Sequence, residues 1–143
     1  MKISSPDFKN NEMIPKKFTC QGEEGIPTLI LDDIPQNTKS LVLIMDDPDA
    51  PSKTFVHWIL FNIPLVNRID ENFDLGTKGI NSLSELGYTA PCPPTGTHRY
   101  FFKLYALDNM LDLKQGASKA DVEKNMKNHV LDEAQLIGLY KKS

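Results

Sequence analysis

Four stretches of the chain read as strands from the order of their apolar and polar residues. Thr28 to Leu31 and Ser40 to Met45 are rich in Leu, Ile and Val and run into Asp-Asp or Asp-Asp-Pro. Phe55 to Ile63 alternates in part, carries β-branched and aromatic residues, and stops at Pro64. Tyr100 to Leu107 has the same character and ends at Asp108-Asn109. Short apolar runs closed by Pro, Gly, Asp and Asn are strand signals. Their middle residues are apolar on both faces, so these strands are expected to lie between layers.

One stretch reads as a helix. Ser118 precedes Lys119-Ala120-Asp121, a cap residue with an acid three positions on, which can satisfy the free amides of a first helical turn. Val122, Met126 and Val130 recur every four residues, while Asp121, Glu123, Lys124, Lys127 and Asn128 cover the opposite side. The pattern predicts a helix over Ser118 to Val130, outside the sheets, with those three apolar residues as its buried face. Gly138 argues against the helix continuing, so Ala134 to Tyr140 is expected to be a last short strand. No internal repeat or linker divides the chain. The expected fold is one mostly-β domain spanning 1–143, an antiparallel β-sandwich with one helix near the C-terminus.

Charge and composition narrow the function. Lys plus Arg is 16 against 19 Asp plus Glu, a net charge of −3. With no basic run longer than Lys16-Lys17, nucleic acid is not an expected partner. The longest aliphatic run, Leu41 to Met45, is far too short to cross a bilayer. The opening Met1-Lys2-Ile3-Ser4-Ser5-Pro6 has no secretion-signal pattern. Cys20 and Cys92 are far apart and neither sits in a C-x-x-C pair, which excludes a disulfide framework and a four-cysteine zinc site. They read as two reduced thiols in a cytoplasmic protein, with a single long-range bridge left open.

Three clusters carry the candidate chemistry. Asp46-Asp47-Pro48-Asp49-Ala50-Pro51 follows an apolar strand, and its prolines are expected to hold the carboxylates on a stiff turn, which is otherwise an ordinary solvated one. His57-Trp58 interrupts an apolar strand. Alternation sends the two to opposite faces, and such a histidine is either a hydrogen-bonded core residue or a cavity residue. The third runs from Gly87 to Tyr100, a proline-rich irregular loop that delivers His98 and Tyr100 to one face of the next strand. Imidazoles, a phenol, backbone amides and a carboxylate together suit a small anion. Asp47, His57 and His98 offer metal-ligand atoms, but no paired spacing fixes a geometry. No G-x-S-x-G elbow and no phosphate loop is present. Neither an enzyme nor a cofactor is expected.

D-P-D-A-P at 47 to 51, H-W-I-L-F-N-I-P at 57 to 64 and P-C-P-P-T-G-T-H-R-Y-F-F-K-L-Y-A-L-D at 91 to 108 resemble the hallmarks of the phosphatidylethanolamine-binding protein family. With I-P-K-K-F-T-C-Q-G at 14 to 22 and H-V-L-D-E-A-Q-L-I-G-L-Y at 129 to 140, they resemble its short bacterial and archaeal branch, called Raf kinase inhibitor-like. The resemblance implies a β-sandwich with a pocket at one end for phosphate-like or carboxylate groups. It implies a ligand-binding set of Asp47, Asp49, His57, Pro93, His98 and Tyr100, with the backbone of Ala90 to Cys92 in the wall. Relatives usually carry glycine at the Ala90 position, so the alanine would be strained if the wall needs a positive φ. The expected function is non-enzymatic binding of a small phosphorylated or carboxylated ligand. The alternative is inhibition of a protease or kinase through protein contact. A homodimer is expected, since short members of the family often pair.

Overall fold

In a computed structural model describing residues 1–143, nine strands and one α-helix follow in the order β1 Lys2–Ser4, β2 Glu12–Met13, β3 Leu29–Asp32, β4 Ser40–Asp47, β5 Phe55–Ile63, β6 Arg68–Ile69, β7 Thr77–Lys78, β8 His98–Leu107, α1 Lys119–Met126 and β9 Val130–Tyr140. Six strands form one sheet in the order β2-β9-β8-β4-β5-β7, and three form a second in the order β1-β3-β6. The neighbours are antiparallel except at one edge, where β2 runs parallel to β9. This is a β-sandwich, and β5 begins and ends where the apolar pattern placed it. Three other predicted strands are longer or shifted by a residue or two, because ladder pairing carries on into polar positions such as Asp47 and His98, and the last, expected over Ala134 to Tyr140, begins four residues earlier at Val130.

The pleat sorts side chains into two clusters. Ile3, Leu29, Leu31 and Ile69 of the small sheet meet Leu41, Leu43, Met45, Trp58, Leu60, Phe102 and Leu104 of the large one. Each such fully buried side chain stabilises the fold by about 1.5–3 kcal/mol. On the outer face of the large sheet, Val42, Ile44, Ile59 and Phe61 are covered by Leu111, Val122 and Met126. The helix therefore lies outside the sheets, with two of its three predicted apolar residues buried.

Val130 departs from the prediction. The helix stops at Met126, since Lys127 leaves helical geometry at φ −55 and ψ 130. Asn128 turns left-handed, and the Asp108 N–H donates to His129 O. That capture starts β9, so Val130 pairs with Leu107 and is 41% exposed. A residue at the right spacing is thus on the wrong element. The Ser118 hydroxyl accepts from the Asp121 N–H as the cap pattern requires.

Two further expectations change. Asp46 and Asp47 do not sit on the turn; they are the buried last residues of β4. Cys20 and Cys92 are not two free thiols but one disulfide, with Cα atoms 5.4 Å apart. A 3-10 turn at Lys16–Phe18 brings Cys20 alongside the proline loop, where its N–H donates to Pro91 O at 3.0 Å. The bridged pair gives no support to the expected cytoplasmic location, which rested on free thiols. No helix is long and apolar enough to cross a membrane.

Candidate anion pocket at the end of the sandwich

The ends of β4, β5 and β8 meet the loop before β8 around a cavity of about 290 Å³. Its lining includes Asp47, Phe55, His57, Ala90, Cys92, Pro93, His98 and Tyr100. Five of the six sequence-derived site residues are therefore together. Asp49 is the exception: it does not line the cavity.

Each position follows from strand periodicity and from one of its interruptions, the shift between Met45 and Asp46. On β4, Asp47 faces inward and Asp46 outward. On β8, His98 and Tyr100 share the inner face, two residues apart. His98 Nδ1 lies 2.7 Å from Asp47 Oδ2, both side chains being buried. The second oxygen of Asp47 accepts from the Asp49 N–H at 2.8 Å, so the Asp-Pro turn serves to hold the carboxylate that orients His98. Asp49 itself takes two side-chain bonds and one backbone bond from Arg99, on the rim. The Arg99 hydrogen bonds hold the Asp49 carboxyl below its ordinary range.

His57 reaches the cavity through a β-bulge. Met45 pairs with Trp58 but Asp46 pairs with Val56, leaving His57 as the extra residue of β5. Val56 then packs on the outer cluster while Trp58 belongs to the inner one. His57 also faces inward, its ring 5.3 Å from that of Tyr100 and 4.7 Å from that of Phe55. The expectation that His57 and Trp58 face opposite sides is corrected by this extra residue.

Burial pushes the His57 pKa down, against smaller opposing effects from Thr89 and Asp47. The neutral ring donates from Nδ1 to Thr89 O at 2.8 Å, which leaves Nε2 as an acceptor. Burial likewise pushes the Tyr100 hydroxyl up, so it stays a donor at any ordinary pH. That hydroxyl makes no hydrogen bond within the protein and is not sealed off, Tyr100 being part of the cavity lining. The Ala90 N–H also lacks an acceptor in the chain, and the residue is 7% exposed. Ala90 is not among the residues with positive φ, so the alanine is unstrained in this wall.

Sequence reasoning missed Thr89, which holds His57, and Arg99, which occupies Asp49. Arg99 was legible, being the outward neighbour of His98 on a strand. Nothing in the sequence marks a main-chain carbonyl as a histidine's partner.

A two-sheet β-sandwich with a histidine- and tyrosine-lined pocket at one end defines the class. The family model described as phosphatidylethanolamine-binding protein matches residues 4–141. A UPF0098 protein from Methanothermobacter thermautotrophicus is 49% identical, with 99% of each chain aligned. Another, from Aquifex aeolicus, is 48% identical over 99% of this chain and 89% of its own. Among solved structures, the phosphatidylethanolamine-binding protein homologue CT736 from Chlamydia trachomatis superposes with a TM-score of 0.96 at 38% identity, covering 99% of this chain and 97% of that one. YbcL of E. coli, described as a member of the mammalian family, gives 0.90 at 25% identity, covering 99% and 98%. The chain belongs to the phosphatidylethanolamine-binding protein family.

Proposed function

We propose that this protein is a non-enzymatic binding protein whose end pocket holds the phosphate or carboxylate group of a small ligand. The observation that carries the reading is one cavity lined by two imidazoles, by Tyr100, whose hydroxyl has no acceptor within the protein, and by Ala90, whose N–H has none either. Polar groups held in place without a protein partner are ready to bond a ligand, and an oxyanion supplies acceptors for both. His98 adds a third donor from Nε2 when its ring is protonated, while Asp47 keeps Nδ1 engaged. Phe55, Ala90 and Pro93 give the cavity apolar walls, which suits an anion carried on a short organic group. Its volume is near the lower end for small-molecule pockets. Holding rather than turnover is favoured because the imidazoles bond a main-chain carbonyl and a carboxylate, not the side-chain hydroxyl or thiol of a nucleophile.

Titration calorimetry with phosphoethanolamine tests this. Tyr100→Phe keeps the ring packing and removes one donor; a bond to a charged group contributes about 1.5–3 kcal/mol, so affinity should fall roughly 10- to 100-fold. His98→Gln, which removes the ring held by Asp47, should weaken binding as well. Equal affinities for the three proteins would place the anion elsewhere.

A further inference from the structure

We infer that the Cys20–Cys92 disulfide is a thiol-exchange site in the pocket wall, and that its reduction by a dithiol weakens anion binding. The inference rests on the pocket reading above and adds its regulation.

The wall between Ala90 and Thr97 is tied down in few places. Pro91, Pro93 and Pro94 have no N–H to give, so the segment cannot join a ladder. Its one hydrogen bond to the rest of the chain is from the Cys20 N–H to Pro91 O. The disulfide is the second tie, and it lands on the same residue. At the ends the chain is firmly held. Thr89 exchanges two hydrogen bonds with His57, at 2.9 and 2.8 Å, and His98 is already in β8. Opening the bridge therefore frees the wall between those points and leaves the sheet alone.

Cys92 is exposed and lines the cavity, whereas Cys20 is half-buried and does not. The more exposed cysteine is thus the one in the pocket. A thiolate of an external dithiol attacks Cys92 Sγ, the S–S bond breaks, and Cys20 leaves as a thiolate that takes up a proton. The second thiol then attacks the dithiol's own sulfur in the mixed disulfide, and Cys92 is released and protonated. The protein gains two electrons and two protons, and the dithiol becomes a disulfide. A loosened wall must be ordered again by each ligand, which lowers affinity without removing a contact.

Phosphoethanolamine is titrated into oxidised protein, into protein reduced with dithiothreitol, and into Cys20→Ser, which cuts the tie without replacing a lining residue. Affinity should drop by about tenfold in both altered forms, the effect of ordering one or two further side chains on binding. Amide exchange should quicken at Cys92, Thr95, Gly96 and Thr97 and stay unchanged in β4 and β8. Equal affinity in oxidised and reduced protein, or a bridge that dithiothreitol leaves intact in the folded state, overturns the inference while the pocket reading stands. Faster exchange throughout β8 makes the bridge a general staple and also overturns it. If the oxidised protein itself fails to bind, the pocket reading falls and takes this inference with it.

Discussion

Asp46 and Asp47 are chain neighbours with unrelated roles, because consecutive strand side chains leave on opposite faces. Asp47 points inward and orients His98, while Asp46 points outward, where Lys103 and Lys119 each approach its Oδ2 at 3.1 Å. Burial sets the behaviour of His57 too. Its folded pKa lies below the ordinary 6.5, so the unfolded chain binds the extra proton first as pH falls. Stability from the neutral ring is therefore fully present above that value and is lost below it, down to the folded pKa. Thermal melts should show the wild type losing stability from pH 7 into mild acid, and His57→Gln losing less over the same interval. Parallel profiles would mean the ring is as easily protonated folded as unfolded. His98 and Tyr100 were legible because alternation alone places them on one face, whereas Asp47 was marked by its motif and expected on a turn rather than in the strand. The position of Asp49 was not, since its fate depends on an arginine on another strand.

Among the elements, β2 shows how a single glycine seats an edge strand. Gly138 on β9 stands against Ile14 and Phe8, and a Cβ there would lie 2.5 Å from Ile14 Cγ1 and 2.8 Å from Phe8 Cε2. The sequence suggested Gly138 as a helix breaker; its close packing gives a sharper reason for the residue. Gly138→Ala should cost about 1–3 kcal/mol, the usual range for overpacking, read from urea unfolding. An unchanged midpoint would show that Ile14 moves aside freely. The end of α1 was illegible for a related reason. Spacing cannot tell a third helical contact from the first residue of a strand, and the hydrogen bond from the Asp108 N–H to His129 O decides it.

For the whole molecule, the sheet-forming segments were plain in the apolar runs, and their assembly into two layers follows from residues buried on both faces. The outer strands of the small sheet and the edges of the large one were harder to see. β1, β2, β6 and β7 are two or three residues long, too short to carry a period. The long-range bridge was equally hidden, since the two cysteines are 72 residues apart and meet only once the proline loop is folded back.

The bulge at His57 also governs where the chain tolerates a change of length. β5 already carries one residue more than its partner there, so removing His57 would restore a regular ladder from Asp46↔Val56 to Met45↔Trp58. Removing Ile44 instead would pull one end of β4 out of register and exchange the faces of every residue beyond it, the two aspartates included. The His57 deletion should keep a cooperative melt and strand-type circular dichroism while losing phosphoethanolamine binding. The Ile44 deletion should give no folded protein. Two deletions of one residue each, in paired strands, would then separate what the sandwich requires from what its pocket requires.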